Sequence, residues 1–217
     1  MAVDDDEGAG RPDRRPRPHD VRPARRPDLP VVERTLGRAF HDDPVWRWVI
    51  GDASGFADRA GRALGAVARV LLGHGHVWMS RSGEAAAVWA PPGERLGPRQ
   101  IVAMAPRLVP AVGLSGVRKV GTLAEVDRHH PHEPHWYLAV LGTDPAHQGR
   151  GFGSSVLAPV LARADEAGVG CYLESSKEDN LAFYRRHGFE VTEELDLARG
   201  AGPRIWLMWR DPRPPGS

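Results

Sequence analysis

The sequence predicts an α/β fold (α+β mixed sheet): one central, mostly antiparallel sheet that contains a parallel βαβ pair and is flanked by helices. Three observations lead there. The apolar run Trp136-Tyr-Leu-Ala-Val-Leu-Gly-Thr143 is followed by a glycine-rich turn, a helical stretch from about Gly151 to Ala167, and a second apolar run, Gly170-Cys-Tyr-Leu-Glu-Ser-Ser176. Strand, crossover and strand in that order pair in parallel through a right-handed connection. The remaining apolar runs, at Val77 to Arg81, Glu84 to Ala90, Phe189 to Leu195 and Arg204 to Arg210, follow one another as hairpins do, the first two across the Ser82-Gly83 turn signal.

The earlier elements follow from periodicity. A short strand is expected around Val21. Asp28 stands where a helix N-cap belongs, before Leu29, Val32, Leu36, Ala39 and Phe40 at near-helical spacing, so a first helix should end near Phe40. Phe56 to Leu72 is rich in Ala, Leu and Val with charges on the opposite face, and Gly73-His-Gly-His76 stops it. Pro98 to His130 is interrupted by Pro106, Pro110, Gly113 and Gly116 and reads as several short helices. A short helix should reach His187, and Pro159 should kink the helix that contains it.

A chain of 217 residues, 41% of them hydrophobic, can bury one substantial core and leaves little room for a second. The expected organisation is a disordered Arg/Pro-rich tail over residues 1–17, a single domain over 18–211, and a flexible C-terminal tail over 212–217. A formal net charge of +1 gives no field strong enough to hold nucleic acid or a membrane surface. No run of 18 consecutive apolar residues and no signal-peptide pattern is read, and the single cysteine, Cys171, suits a reducing compartment; a cytoplasmic protein is expected.

The chemistry concentrates in Gln148-Gly-Arg-Gly-Phe-Gly-Ser154, set between a strand and a helix. Three glycines let the backbone turn sharply and approach a ligand, and the amides that open the helix point outward at the positive end of its dipole. That is a pyrophosphate cradle, with Gln148 and Arg150 adding polar and charged contacts. A dinucleotide fingerprint would have a different glycine spacing early in the chain, and the Walker lysine is missing.

These residues resemble the GNAT superfamily of acyl-CoA transferases, whose motif Q/R-x-x-G-x-G/A is met by Gln148, Gly151 and Gly153; Asn180-Leu-Ala-Phe-Tyr184-Arg-Arg-His-Gly188-Phe189 is similar to the family's second signature. The likeness covers about Asp20 to Arg210. Within the superfamily, Glu133 to Ala139, Asp144 to Gly151, Tyr172 to Ser175, Gly202 to Trp206 and the Val77-Trp78 to Val88-Trp89 hairpin resemble the puromycin N-acetyltransferases. The resemblance implies a GNAT-type fold, acetyl-CoA as co-substrate with no metal, and transfer to a primary amine of a small molecule, an aminoacyl-nucleoside or similar antibiotic, in detoxification or self-resistance. Acetylation of protein N-termini or lysines, or a non-catalytic acyl-CoA-binding regulator, are the alternatives. A monomer or a homodimer is expected.

The resemblance also implies site roles. Leu138, Ala139, Val140, Gln148, Gly149, Arg150, Gly151, Phe152, Gly153, Ser154, Asn180 and Phe183 would hold the cofactor. Tyr184 would protonate the coenzyme A thiolate; a phenol near pKa 10 and a thiol near 8.5 differ by about 1.5 units. Glu174, or a water that it orders, would be the base. An α-amino acceptor with pKa near 8 needs little help, about 1.4 kcal/mol at pH 7, against roughly 4.6 for a lysine-like amine. A backbone amide near Val140 or Leu141 would meet the oxyanion. His41, Asp42, Asp43 and Trp46 would wall the acceptor pocket, since acids beside an aromatic suit a cationic planar ligand, although Asp-Asp-Pro is also ordinary turn and cap chemistry. His129, His130, His132 and His135 fit no zinc spacing, and Cys171 reads as a buried strand residue.

Overall fold

A computed structural model describes residues 19–52, 54–74, 76–94 and 98–214. The expected tail over residues 1–17 lies outside the described residues, as do 215–217 of the C-terminal one. Seven strands form one sheet: β1 (Val21–Pro23), β2 (Val77–Ser80), β3 (Ala85–Ala90), β4 (His135–Thr143), β5 (Gly170–Ser175), β6 (Glu190–Asp196) and β7 (Arg204–Arg210), in the order β1-β2-β3-β4-β5-β7-β6. Every pairing is antiparallel except β4 with β5. This is the mixed sheet with one parallel pair that the strand-turn-helix-strand pattern predicts.

One face of the sheet carries α5 (Phe152–Ala167) and the short α6 (Leu181–Arg186). Val156, Leu157, Val160 and Leu161 of α5 pack there on Trp89, Trp136, Leu138, Cys171 and Leu173. The other face carries α1 (Leu29–Ala39), α2 (Pro44–Ile50), α3 (Phe56–Leu71) and α4 (Pro98–Thr122). Leu29, Val32 and Leu36 of α1, with Leu64, Ala68 and Leu71 of α3, cover Val77, Met79, Val88 and Val140. α1 and α3 approach closely because Gly37 and Gly61 face each other: a Cβ on Gly37 would run into the carbonyl oxygen of Ala57 and come within 3.0 Å of Gly61 Cα.

Several local expectations are corrected. Asp28 makes no side-chain cap bond to α1. Instead it accepts two hydrogen bonds from the Arg22 guanidinium, at 2.7 Å each, and one from Arg25 N–H, which tie β1 to the helix start; the Arg22 bond, then the Arg25 amide, lower its pKa to about 2. The stretch expected as short helices is two helical segments, together labelled α4, that meet at Gly113, whose φ of 72° and ψ of 174° are not helical, followed by a 3-10 stretch at Leu123–His129. α5 runs continuously through Pro159. α2 was not expected as a helix; Pro44 opens it and Asp43 caps it, the Asp43 carboxylate accepting Trp46 N–H at 2.9 Å.

Two further facts bear on the expectations. The 31-residue stretch Arg99–His129 has a window with mean hydropathy 1.3, long and apolar enough by composition to cross a bilayer, and Ile101, Val102, Val109, Leu114 and Val117 are exposed on it. Cys171 is buried beneath α5, and burial pushes its thiol pKa up to about 12 against the opposing pull of Arg210. Arg210, itself buried, is held by a bidentate pair to Asp165 at 2.8 Å.

Substituting Gly37→Leu should force α1 and α3 apart and lower stability by about 2–3 kcal/mol, read as a reduced urea midpoint with an unchanged slope.

Candidate active site

The site is built where β4 and β5 part. Their parallel register runs from His135↔Gly170 to Leu138↔Leu173 and stops there. Beyond it β4 continues only against β3, and β5 only against β7, where Glu174 faces Leu207 and Ser175 faces Trp206. The cause is one extra residue: Leu138 pairs with Trp89 and Val140 with Val88, so Ala139 has no partner in the β3 register. The burial of β4 alternates without a break from Trp136 to Gly142, yet the covered face changes. Trp136 and Leu138 pack under α5, whereas Val140 packs against α1 and α3. The bulge thus turns the strand away from β5 and opens a wedge with backbone amides at its edge, at Ala139 and Val140 and next to Leu141, where the sequence places the oxyanion donor.

The cradle lies at the far end of β4. Gly149 and Gly151 have φ of 73° and 89°, left-handed values that side chains strongly disfavour, and Gly151 is the N-cap of the 16-residue α5. A Cβ on Gly153 would stand 3.4 Å from Phe183 Cζ and from Thr143 Oγ1, so the helix start, β4 and α6 close on one another there. Gln148 Nε2 donates to Thr143 O at 3.2 Å, which fixes the turn to the strand it leaves. The first-turn amides of a helix have no acceptor within it, and they meet here with an exposed Arg150. This donor set fits the diphosphate of a coenzyme A.

Other expected cofactor residues take more specific parts. The Phe152 ring is already stacked on His19, with centroids 3.7 Å apart at 12°, so what it offers a ligand is its amide. His19 also places Nε2 2.6 Å from Arg150 O and donates its amide to Ser155 Oγ, pinning the chain entering β1 to the cradle. Ser154 Oγ lies 2.9 Å from His187 Nε2; burial, then the charges of Arg186, Arg213 and Arg210, lower the pKa of His187. Asn180 is exposed and makes no side-chain capping bond, and Phe183 packs against α5.

The acceptor side of the wedge is polar. Glu174 and Tyr172 share the β5 face opposite α5. Glu174 Oε1 is 2.9 Å from Nε2 of His130, and the two side chains are 14% and 8% exposed, so both groups sit almost out of water. The contact is not a hydrogen bond: among the described residues Glu174 Oε1 and the Tyr172 hydroxyl are buried with no hydrogen-bond partner. Burial, then the Glu174 charge, raise the pKa of Tyr137 and of Tyr172, so both phenols stay protonated beside the carboxylate. Such groups are costly to bury unsatisfied and mark a place built for something other than packing.

Asp43 and Tyr184 flank the same opening. Asp43 is buried and accepts from Trp46 N–H and from Ser176 Oγ just past β5, while Lys177 Nζ pairs with Asp42 at 2.6 Å. The loop entering α2 is therefore clamped to the end of β5, and both expected acids are engaged in that clamp. Tyr184 is buried in the α5-side core against Phe183 and Phe189; burial, then the negative charge of Asp43, raise its pKa. His41 is exposed, with Nδ1 3.2 Å from Arg38 O, and Trp46 is half-buried between α1 and α3. A cleft of about 310 Å³ opens beside the clamp, lined by Pro44, Ser176, Lys177, Glu178, Asp179 and Trp206 among others. His129 pairs with Glu193 at 3.0 Å, and among the described residues no group of three or more His, Cys, Asp or Glu is placed to hold a metal ion.

The acetyltransferase (GNAT) family model matches residues 86–189, which run from β3 through the wedge and the cradle to Phe189. This part of the chain is similar to that family. GNAT enzymes use acetyl-CoA as their acetyl donor. A solved structure of histone acetyltransferase HPA2 and related acetyltransferase from Corynebacterium glutamicum is 25% identical with a TM-score of 0.60, over 92% of this chain and 99% of that one. Arylalkylamine N-acetyltransferase 2 from Aedes aegypti has a TM-score of 0.65 at 11% identity, over 89% and 99%, a likeness of fold. An uncharacterized N-acetyltransferase of Schizosaccharomyces pombe is 32% identical over 81 residues, 37% of this chain. The chain spans less than a third of the length of the curated relatives that it matches.

Substituting Gly151→Val places a β-branched residue at a left-handed φ in the turn and should weaken acetyl-CoA binding at least about tenfold, measured by calorimetry. An unchanged Kd would remove this turn from the cofactor site.

Proposed function

We propose that this chain transfers the acetyl group of acetyl-CoA to a primary amine of a small molecule, by direct attack within a ternary complex. The observation that carries the reading is the wedge between β4 and β5, which has a buried carboxylate on one side, a buried phenol on the other and an anion cradle at the end of β4. A thioester lying in the wedge would have its carbonyl oxygen near the amides at the Ala139 bulge. An amine entering from the α2 side would meet Glu174 first.

In this reading Glu174, directly or through a water, takes one proton from the acceptor ammonium, and the free amine attacks the thioester carbon. As the C–N bond forms the nitrogen gives its second proton to solvent water, the C–S bond breaks, and Tyr184 protonates the departing thiolate and is recharged from solvent. Burial makes Tyr184 a weaker acid than a free phenol, but it also deprives the thiolate of hydration and makes it a stronger base, so the pair remain matched. Gln148, Gly149, Arg150, Gly151, Gly153, Ser154 and the Phe152 amide hold the diphosphate, while Leu138, Ala139, Val140, Asn180 and Phe183 line the path of the pantetheine arm.

The acceptor class we infer is an aminoacyl-nucleoside or similar antibiotic amine, detoxified in a reducing, cytoplasmic setting. It is supported by the likeness of five segments to the puromycin N-acetyltransferases and by the cleft, where Trp206 offers a stacking face among Lys177, Glu178, Asp179 and Arg204. The Aedes neighbour is named for an arylalkylamine, also a primary amine on an aromatic body. A second reading, a lysine or N-terminal amine of a protein, is favoured by the name of the Corynebacterium neighbour. Thiol release over a panel of puromycin, other aminoacyl nucleosides, arylalkylamines and peptides separates the two.

With the best acceptor, Tyr184→Phe should lower kcat about 10–100-fold while the KM for acetyl-CoA stays within twofold; unchanged turnover would end its role as the acid. Glu174→Gln should remove the acidic limb of the kcat/KM profile and slow acceptors of high pKa more than those of low pKa, and an unmoved limb would exclude it as the base.

A further inference from the structure

The strongest unassigned feature of the wedge is a second buried ionisable group touching Glu174. His130 ends the 3-10 stretch before β4 and adopts an extended backbone ahead of Pro131. Its side chain is 8% exposed, and its Nε2 is 2.9 Å from Glu174 Oε1. The ring is held on two sides: its centroid is 4.8 Å from Tyr137, edge-on at 71°, and 4.6 Å from Tyr172 at 59°. A third ring, His135, lies 5.8 Å away. The groups that face it from the surrounding elements are thus Glu174 and Tyr172 of β5 and Tyr137 and His135 of β4. An imidazole needs none of this to pack a core, and a polar ring buried against a carboxylate is expensive unless the contact is used.

The geometry points to His130 as the positioning residue of the proposed base: its buried ring, with Nε2 2.9 Å from Glu174 Oε1, fixes that side of the carboxylate and leaves the other oxygen for the acceptor amine. The inference rests on the reading of Glu174 as the base and deepens it. A carboxylate is free to rotate about its last torsion, which has broad, shallow preferences. One oxygen tied to a ring that is itself locked between two tyrosines removes that freedom. A base held in line spares the acceptor complex a search over orientations, and small misplacements at this distance cost about two orders of magnitude in rate. His130 takes no proton from the substrate; the proton goes to Oε2 and leaves with solvent after the product departs.

The test is a double-mutant cycle on kcat with the best amine from the thiol-release panel. His130→Ala should lower kcat about 10–100-fold with the acetyl-CoA KM within twofold, and His130→Gln, whose amide nitrogen can occupy the place of Nε2, should recover most of the loss. In a Glu174→Gln background, His130→Ala should cost less than about threefold more, since a residue acting only through Glu174 has nothing left to position. Independent multiplicative losses, or a stably folded Gln variant no better than Ala, would overturn the role. If Glu174→Gln alone keeps full turnover, it is the base assignment that fails. A readout independent of turnover is the nitrogen NMR spectrum of the resting protein. A His130 ring signal perturbed by Glu174→Gln is expected; a signal indifferent to that change would refute the contact itself.

Discussion

Two parallel strands that stop bonding after four residue pairs are the constraint on which the rest of this structure depends. A parallel pair inside a sheet normally stays closed, since separation leaves amides and carbonyls without partners. Here one surplus residue, Ala139, transfers the end of β4 to β3, and β7 takes up the end of β5. The separation therefore exposes few unpaired groups, and those at its edge face a space into which a thioester can be laid. The helix positions follow: α5 must cover the face where Leu138 and Leu173 still pair, while α1 and α3 must cover the face to which Val140 has turned.

The wedge is lined by side chains that would weaken an ordinary core. Glu174, His130, Asp43, Tyr137, Tyr172 and Tyr184 are arranged so that most of their polar atoms face one another, with the Ser176 and Lys177 contacts to Asp43 and Asp42 closing the rim. The arrangement divides titratable groups by environment. The phenols of Tyr137, Tyr172 and Tyr184 are kept protonated by burial and nearby negative charge. Stability comes from elsewhere, in the apolar clusters on either face of the sheet.

What was legible in the sequence was local. The βαβ unit, the glycine turn and the helix bearing Tyr184 each lie within a few tens of residues and obey periodicity and glycine rules that need no tertiary knowledge. The helix α2 was legible in principle, because Asp43 before Pro44 is a cap followed by a first-turn proline, but seven residues are too few for a periodic signal. The expectation of several short helices over Pro98 to His130 gave each proline equal weight. Pro106 and Pro110 lie inside a helix whose one sharp break is at Gly113, where only the backbone angle decides. Contacts made across the chain left no trace: His130 meets Glu174 at a sequence separation of 44, His19 meets Arg150 at one of 131, and no spacing rule joins them. Asp28 does stand at the N-cap of α1, as its place before Leu29 suggests, but its carboxylate goes to Arg22, a contact that periodicity does not reveal.

Cys171 shows how packing can bear on measurement as well as on chemistry. Its sulfur lies under α5 with its thiol held neutral far into the alkaline range, so it supplies almost no thiolate at neutral pH. Disulfide and maleimide reagents should thus pass over the native protein, and any colour they develop during turnover belongs to newly freed coenzyme. The same silence makes the sulfur a reporter of the fold: it becomes reactive only when α5 lifts from the sheet, so the labelling rate without substrate measures how often that side of the molecule opens.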